Sequence, residues 1–453
     1  MSPVTVRQAH AAGGLAVGVL SALRHTGGLW FGWSGELAEV PPAEPRIFRT
    51  GRITYALTDL TRGEFEAFYG GFANRVLWPL FHYRIDLATY EHEWFRVYLE
   101  VNHRLATQLR PLLDDDDVVW VHDYHLIPFA AELRRLGVRA RMGFFLHIPF
   151  PASEVYVTMP WHRQLAAALC EYDVVGFQTD ADLRQFTDYV IHELGGQVGP
   201  DGRVRACGRE FLALSDPIGI EVDDVRAMAV SGEAMRYAHR VATTLTGRHL
   251  VLGVDRLDYT KGIPERLRAF ELLLREYPDH RRRVTFMQIS APSRETVPEY
   301  VELRREVELL SGHINGVYGE ADWVPLRHIN RAYSRRALMG FCRLARCALV
   351  TPLRDGMNLV ALEYVAAQDP EDPGVLVLSR FAGCARYMRG ILQVNPYDVR
   401  QVAEALHRAL TLNLAERRRM WEQAMETVQH YDIHRWRRTF LEALAGSALG
   451  GDG

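Results

Sequence analysis

Residues 253 to 273 read GVDRLDYTKGIPERLRAFELL and contain the end of a strand, a loop and a helix in succession. The run Leu250–Val254 is continuously apolar, which is typical of a parallel strand buried on both faces. Pro264 suits the first turn of a helix, and apolar residues at helical spacing follow it as far as Glu276. A strand that passes through a short loop into a helix is the repeating unit of a parallel α/β sheet.

The same alternation continues on both sides of this stretch. Apolar runs predict further strands at Val118–Val121, Met142–Leu146, Val174–Phe177, Val284–Gln288, Ala348–Thr351 and Val375–Leu378. Helical spacing predicts helices between them, such as Ile127–Leu136 and Ile263–Glu276. The pattern indicates an α/β protein with doubly wound sheets.

The chain has 453 residues, which is too many for one ordinary core. A polar, helical segment between Glu221 and His249 interrupts the strand pattern, so we place a domain boundary there. We expect an N-terminal Rossmann-like domain over residues 1–235, a second over 236–430, and a C-terminal helix with a flexible tail over 431–453. Two such domains predict a ligand in a cleft between them, beside the carboxyl ends of the strands.

Composition narrows the class of protein. The net charge of −3 argues against a nucleic-acid or membrane-surface partner held by bulk electrostatics. The five cysteines are scattered and do not form the close pairs of a zinc site or a disulfide framework. The N-terminus lacks the features of a signal peptide, and no apolar run reaches the roughly 20 residues that span a bilayer. We therefore expect a cytoplasmic protein with no nucleic-acid or membrane partner.

Two cations, Arg256 and Lys261, follow the strand Leu250–Val254 and precede the helix. The planar guanidinium of Arg256 and the compact ammonium of Lys261 lie on one loop, and together they are suited to holding a diphosphate. The alternative is that Arg256 pairs with Asp255 or Asp258 on the surface.

The strand Ala348–Thr351 is followed by a polar loop and a second helix. The amides around Met357, Asn358, Leu359 and Val360 would begin that helix, where unpaired N–H groups and the helix dipole favour a phosphate. Glu363, one turn in, could accept hydrogen bonds from ribose hydroxyls, or could merely complement the dipole. Asp355, beside Gly356, could bind a ligand or form a turn.

The first half of the chain carries glycines and aromatic residues ahead of its predicted strands. Gly13 and Gly14 would allow close approach of backbone to a ligand, although a tight turn is the equal alternative. We interpret GGLWFGWSG, residues 27–35, as a glycine-rich loop whose Trp33 could stack on a sugar ring. Tyr69 and Trp78 lie in a further aromatic stretch, where core packing is an alternative.

Polar residues also follow other predicted strands. Asp123 lies between two histidines after Val118–Val121, and His147 follows Met142–Leu146. A metal site is one interpretation, but no pair of histidines four residues apart on a helix supports it, and hydrogen bonding to a sugar fits better. Arg294 lies in the loop after Val284–Gln288, as a site residue or as a solvated loop arginine.

Seven motifs occur in order along the chain: WFGWSGE, LWPLFHYR, VHDYHLIPF, FFLHIPFP, GFQT, VDRLDYTKGIPERL and TPLRDGMNLVALEYVAAQ. Together they resemble those of the trehalose-6-phosphate synthases, retaining glycosyltransferases of family 20. The resemblance runs from about Ala12 to the C-terminal helix. It implies the GT-B architecture, in which two Rossmann-like domains face each other across a cleft, and a place in trehalose biosynthesis and osmoprotection.

The resemblance implies that glucose passes from UDP-glucose to glucose 6-phosphate with retention. The donor would be bound by Gly13, Gly14, Arg256, Lys261, Tyr333, Asp355, Met357, Asn358, Leu359, Val360 and Glu363. The acceptor would be bound by Trp33, Tyr69, Trp78, Asp123 and Arg294. The catalytic group would comprise Arg256, Lys261, His147, Asp123 and Asp355, with no metal and no cofactor. No carboxylate stands out as a nucleophile, so we expect a front-face route in which cations stabilise the leaving diphosphate.

The segment before Gly13 departs from the family. The family's first strand ends in SNR, whereas only twelve residues precede Gly13 here and Arg7 is the nearest counterpart of that arginine. We expect the first strand to be missing, through truncation or a misassigned start. A related synthase with glycerol 3-phosphate as acceptor, or a non-catalytic sugar-phosphate sensor, remains an alternative. The resemblance also suggests a homodimer or homotetramer, and it does not choose among UDP-, ADP- and GDP-glucose.

Overall fold

The computed structural model describes residue 23 and residues 27–294 and 297–446. Contacts divide the chain into two compact units. Unit 1 runs to Asp216 and includes the helical end of the chain from Trp436, and unit 2 runs from Pro217 to Arg435.

Unit 1 contains two sheets. The smaller sheet has strands β1 (Gly28–Ala38), β2 (Arg46–Thr50) and β3 (Ile53–Thr61) in the order β1-β3-β2, with β1 parallel and β2 antiparallel to β3. The larger sheet has strands β4 (Val118–His122), β5 (Arg141–Phe145), β6 (Val174–Phe177), β7 (Gln197–Val198), β8 (Arg203–Ala206) and β9 (Arg209–Ser215). Its order is β4-β5-β6-β9-β8-β7, and the first four of these strands are parallel.

The helices of unit 1 lie between these strands. They are α1 (Arg62–Glu64), α2 (Trp78–Phe81), α3 (His92–Leu109), α4 (Phe129–Arg135), α5 (Ser153–Tyr156), α6 (His162–Leu169) and α7 (Asp180–Leu194). A π-helix, Phe65–Leu77, joins α1 to α2. Short 3₁₀ turns occur at Ile85–Leu87, Arg110–Leu112 and Tyr124–Leu126.

Unit 2 is built around one parallel sheet. Its strands are β10 (His249–Arg256), β11 (Val284–Ala291), β12 (Leu326–Ile329), β13 (Cys347–Val350), β14 (Val375–Ser379) and β15 (Leu392–Val394), in the order β12-β11-β10-β13-β14-β15. Its helices are α8 (Val222–Ala229), α9 (Gly232–Leu245), α10 (Ile263–Glu276), α11 (Pro298–Tyr318), α12 (Arg335–Leu344), α13 (Leu359–Ala367), α14 (Val399–Thr411) and α15 (Leu414–His430). Further 3₁₀ turns lie at Tyr259–Lys261, Pro278–His280 and Gly383–Arg386.

The α/β class and all seven predicted strands are confirmed, and the predicted helix Ile263–Glu276 has those bounds in the structure. Strand order reverses beside β10 in unit 2, because β11 and β13 flank it. Such a reversal leaves a crevice at the carboxyl ends of the strands, which is where open α/β sheets bind ligands.

The interpretation of residues 27–35 as a loop is wrong. The segment forms most of β1, whose residues Gly28 to Trp33 pair in register with Ile53 to Thr58 of β3. Aromatic residues favour strands, whereas the glycines locally favour a loop, and the strand partner that decides between the two lies some 25 residues further along the chain.

The contact-based division lies at Asp216, before the expected boundary near residue 235. The reason is that α8 and α9 pack against α12 of unit 2. Ala234 of α9 lies so close to Gly340 that a Cβ added there would be 2.3 Å from the Ala234 carbonyl oxygen.

The last helix, α16 (Ile433–Ala445), packs from Trp436 onward on the larger sheet of unit 1. The Phe440 ring fills the space above Gly143 and Gly176 on neighbouring strands, where an added Cβ would lie 2.7 Å from the ring. The helix expected at the C-terminal end is therefore part of unit 1. Within the described ranges, no helix combines the length and the apolar character needed to span a membrane.

Candidate functional site

The loop after β10 is a tight turn whose conformation is set by hydrogen bonds. Asp258 caps the 3₁₀ turn Tyr259–Lys261 by accepting from the Thr260 backbone N–H at 3.0 Å. Gly262 follows at φ +62°, and an added Cβ would lie 2.4 Å from the Thr351 carbonyl oxygen, so no other residue fits without strain. The turn therefore presents Lys261 in one fixed position, immediately before α10.

A buried arginine lies beneath this turn. Arg266 of α10 has no exposed surface, and its guanidinium donates to Asp255 at 2.5 Å and to Gln288 at 2.9 Å. It also donates to Thr351 Oγ1 at 3.0 Å and to the Lys261 carbonyl oxygen at 3.1 Å. Burial raises the pKa of Asp255, and the positive charges of Arg266 and Lys261 oppose that shift. This network joins β10, β11 and the loop after β13, and sequence reasoning missed it.

Hydrogen bonds join the loops after β10 and β13. The Thr260 carbonyl oxygen accepts from the Leu353 amide at 2.8 Å. The Lys261 ammonium lies 2.5 Å from Asp355 Oδ2, and both side chains are largely buried. The structure therefore brings together two predicted site residues that are 94 positions apart in sequence.

The start of α13 faces the same loop. Asn358 adopts φ 73° and caps the helix by accepting from the Ala361 amide at 3.2 Å, while its own side-chain NH₂ donates to Asp355 at 3.0 Å. Leu359 and Val360 are the first two helical residues, so their amides have no partner inside the helix. Met357 is buried, which leaves its backbone as the part suited to a ligand. This arrangement has the geometry of an anion site.

Glu363, one turn into α13, has a partner that sequence reasoning missed. Its Oε1 accepts from Arg335 Nη2 at 2.8 Å and from Arg335 Nε at 3.1 Å. Burial raises the pKa of Glu363, and Arg335 opposes the shift. The carboxylate is thus held by an arginine of α12, rather than only lying near the dipole of its own helix.

Arg294 is not the solvated loop arginine considered as an alternative. Its side chain is only 6% exposed and lies 3.1 Å from Asp258 Oδ2, and it also contacts the Tyr300 hydroxyl. Asp255, the other acid considered as a partner of Arg256, binds Arg266. Both acids therefore make their short ion pairs with other arginines, while Arg256 is the exposed last residue of β10.

Tyr333 lies just before α12. Its hydroxyl accepts from Arg331 at 2.7 Å, and its ring packs edge-on against Phe341 at 5.2 Å.

In unit 1, Trp33 and Tyr69 form one aromatic group. The Trp33 ring lies 5.6 Å from the Tyr69 ring, and Tyr69 in turn stacks on His125 at 5.6 Å. All three rings are partly exposed. The π-helix carries Tyr69, and π-helical turns often occur at functional sites.

Trp78, at the start of α2, is only 5% exposed. It packs against His82 at 4.2 Å and Tyr124 at 5.9 Å between ring centroids. Trp78 therefore packs in the core, as the alternative interpretation has it, and only a small part of its ring is open to a ligand.

Asp123 follows β4 with φ 73°, a conformation that is uncommon for a residue with a side chain and is often found at functional sites. Its Oδ1 accepts from the His147 backbone N–H at 3.4 Å. The two residues thus lie together at the carboxyl ends of β4 and β5.

The His147 ring is held from both sides. Gln178 Nε2 donates to its Nδ1 at 3.2 Å, which places the ring proton on Nε2, and Nε2 lies 3.1 Å from His122 Nδ1. Burial lowers the pKa of His147 well below its usual range, and the neighbouring His122 lowers it further. Burial lowers the pKa of His122 to about 3. Both rings are therefore neutral at pH 7.

The remaining predictions concern other parts of the chain. Gly13, Gly14 and Arg7 lie outside the described residues. Across the part of the chain that the structure describes, no cluster of three histidine, cysteine or acidic side chains has the geometry of a metal site.

Three comparisons bear on this architecture. The model of glycosyltransferase family 20 matches residues 2–446. A trehalose-6-phosphate synthase of Sinorhizobium fredii (strain NBRC 101917 / NGR234) is 49% identical over 96% of this chain and 95% of its own.

Two solved structures are similar over almost their full length. One is an alpha,alpha-trehalose-phosphate synthase (UDP-forming) from Burkholderia xenovorans in complex with glucose-6-phosphate, with a TM-score of 0.94 and 49% identity over 96% of this chain and 97% of that one. The other is from E. coli, bound with UDP-2-fluoro glucose, with a TM-score of 0.93 and 44% identity over 97% of each chain. The fold and the match define a glycosyltransferase of the GT-B class. The chain belongs to glycosyltransferase family 20.

Proposed function

We propose that this chain transfers glucose from UDP-glucose to glucose 6-phosphate with retention, giving α,α-trehalose 6-phosphate and UDP. The observation that carries the proposal is the junction of the loops after β10 and β13. There, Lys261 and Asn358, the residue that caps α13, both contact Asp355, and Arg256 ends the adjacent strand. The names of the relatives and the ligands of the two solved structures support the same reaction.

Unit 2 is the donor-binding domain in this proposal. Arg256, Lys261 and the amides of Leu359 and Val360 hold the diphosphate, because cations and a helix start together neutralise a charged leaving group. Glu363, oriented by Arg335, accepts hydrogen bonds from the ribose. Met357, Asn358 and the backbone of Tyr333 complete the donor contacts, with Gly13 and Gly14 from the N-terminal segment.

Unit 1 is the acceptor-binding domain. The partly exposed aromatic group of Trp33, Tyr69 and His125 is suited to packing against an apolar sugar face. Asp123 accepts from hydroxyls of the acceptor, Trp78 borders it, and Arg294 binds its phosphate. His147 contacts the transferred glucose.

The transfer follows a front-face route. The bond between the anomeric carbon and the diphosphate oxygen breaks as the acceptor hydroxyl attacks from the same side, and the departing oxygen takes the acceptor's proton. Arg256 and Lys261 stabilise the charge on the leaving UDP. Lys261 can do so without losing its position, because the turn and its pair with Asp355 fix it beforehand.

A UDP-release assay tests the reaction. The purified protein is expected to release UDP from UDP-glucose with glucose 6-phosphate. Release of the corresponding nucleoside diphosphate is measured in parallel with ADP- and GDP-glucose as donors, and with glycerol 3-phosphate as a second acceptor. Arg256→Ala and Lys261→Ala should each lower turnover by about 10²–10³-fold. Arg305→Ala, an exposed arginine of α11, is the matched control and should retain activity.

Full activity in the Arg256→Ala, Lys261→Ala double variant would refute the diphosphate clamp. Binding of both substrates without turnover would favour the alternative of a non-catalytic sugar-phosphate sensor. Preferred use of glycerol 3-phosphate would favour the alternative of a related synthase with that acceptor. A homo-oligomer remains a prediction that light scattering can check.

A further inference from the structure

Asp258 has no exposed surface, yet both of its carboxylate oxygens have two hydrogen-bond donors each. Oδ1 accepts from the Thr260 amide at 3.0 Å and from the Thr260 hydroxyl at 2.9 Å. Oδ2 accepts from Arg294 Nη1 at 3.1 Å and from the Tyr300 hydroxyl at 3.1 Å. The two oxygens thus bind two different structural elements, the turn after β10 and the segment that leads into α11.

The carboxylate is also the centre of a group of cations. Burial alone would raise the pKa of Asp258, but the charges of Arg294, Arg256 and Lys261 outweigh burial and lower the pKa to about 2. The group is therefore ionised throughout the neutral range. A permanent negative charge in this position reduces the repulsion among three cations that would otherwise lie together without substrate.

We propose that Asp258 is a positioning residue that holds the turn carrying Lys261 with one oxygen and Arg294 with the other, and so fixes the distance between the cations for the two phosphorylated substrates. The inference rests on the proposed function, which assigns Lys261 to the donor diphosphate and Arg294 to the acceptor phosphate. Asp258 itself is fully buried, so its role in this proposal is exerted through Lys261 and Arg294.

Each oxygen has a separable task. Oδ1 shapes the turn directly, because its acceptance from Thr260 closes the turn that ends at Lys261. Oδ2 restrains Arg294, whose backbone has φ 48° and whose guanidinium also contacts Tyr300. The carboxylate of Asp258 therefore links the positions of Lys261 and Arg294, the two residues assigned to phosphate groups.

The Asp258→Asn variant separates these tasks. The amide oxygen can still accept from Thr260, whereas the amide NH₂ faces the Arg294 guanidinium, and two donors cannot bind each other. We expect calorimetry to show about a tenfold or greater loss of affinity for glucose 6-phosphate, corresponding to the loss of a hydrogen bond to a charged group. The affinity for UDP should change by less than about twofold. In the same way, the KM for glucose 6-phosphate should rise while the KM for UDP-glucose stays nearly unchanged.

Two further variants distinguish positioning from a general structural role. Tyr300→Phe removes one donor but keeps the carboxylate and Arg294, so acceptor affinity should fall by less than about threefold. Arg294→Ala should weaken acceptor binding in the wild type. In the Asp258→Asn background it should weaken acceptor binding by less than a further factor of about two, because Arg294 is already displaced from its position there.

Equal losses of affinity for UDP and glucose 6-phosphate in Asp258→Asn, or additive losses in the double variant, would overturn the inference. A shift of the unfolding midpoint with both affinities unchanged would overturn it as well. A wild-type protein that binds both ligands without turnover would refute the proposed reaction, while the affinity ratio would still decide the role of Asp258. A wild-type protein that binds neither ligand would refute both.

Discussion

The buried Arg266 offers the sharpest test of how the loop after β10 is held. Replacing it with Met keeps a long side chain of helical preference but removes the charge and every donor. The change breaks the ion pair with Asp255 and the hydrogen bonds to Gln288, Thr351 and the Lys261 carbonyl oxygen. It therefore affects the sheet and the cationic turn together.

The expected cost follows from the burial of both charges, because Arg266 has no exposed side-chain surface and Asp255 only 3%. Removing one partner of such a pair leaves the other charge uncompensated and costs about 3–5 kcal/mol of the free energy of unfolding. A domain is stable by only about 5–15 kcal/mol in total, so this loss is large. Arg266→Met with Asp255→Asn removes both charges and should be about 1–3 kcal/mol more stable than Arg266→Met alone.

Urea unfolding followed by far-ultraviolet circular dichroism measures these differences through the shift of the midpoint. The matched control is Arg268→Met, two residues along the same helix, where the side chain is 42% exposed and pairs with Glu306. That exposed pair should contribute less than about 1 kcal/mol. A loss below about 1 kcal/mol for Arg266→Met would show that water or another group satisfies Asp255, and the reasoning would be wrong.

Two predictions concern the histidines beside β4 and β5. The folded protein keeps His122 neutral down to about pH 3, whereas an unfolded chain protonates it near pH 6.5. The unfolded state therefore binds more protons below pH 6.5, and the free energy of unfolding should fall there by up to about 1.4 kcal/mol per pH unit for this one group. His122→Asn should flatten that slope between pH 6.5 and 5, and an unchanged slope in urea titrations would contradict the assignment. Gln178→Glu replaces the donor to His147 Nδ1 with an acceptor, so the His147 pKa should rise and an acidic limb should appear in the pH profile of kcat/KM. Nitrogen-15 chemical shifts of the ring would report the same change, and identical shifts in both proteins would count against it.

The strands of the sheets could be predicted because their signal is local. Runs such as Val174–Phe177 and Leu250–Val254 contain no polar side chain, which is typical of strands buried on both faces. The helix Ile263–Glu276 begins at a proline and has regular apolar spacing, so its bounds could also be predicted. By contrast, β1 contains glycines and tryptophans, and only its pairing with β3 makes it a strand.

The residue types of the candidate site were visible in the sequence, but their partners were not. The sequence indicates both Lys261 and Asp355 as site residues, yet nothing local shows that they form an ion pair, because the fold brings the ends of β10 and β13 together. Arg335 escaped notice for the same reason, since its partner Glu363 lies on another helix. Electrostatic pairing across a sheet depends on strand order, which a single sequence does not specify.

The segment DRLD, residues 255–258, shows that ion pairs inferred from neighbouring residues in the sequence can differ from those in the structure. The sequence presents Arg256 beside two acids, and the simplest inference is local neutralisation. In the structure both acids are buried, and each is bound by an arginine from elsewhere in unit 2, Asp255 by Arg266 and Asp258 by Arg294. The acids therefore serve as anchors for the loop, and Arg256 is the exposed last residue of the strand. In the proposed reaction, a loop held this way keeps Lys261 in position before the donor diphosphate binds, which reduces the reorganisation required at the transition state.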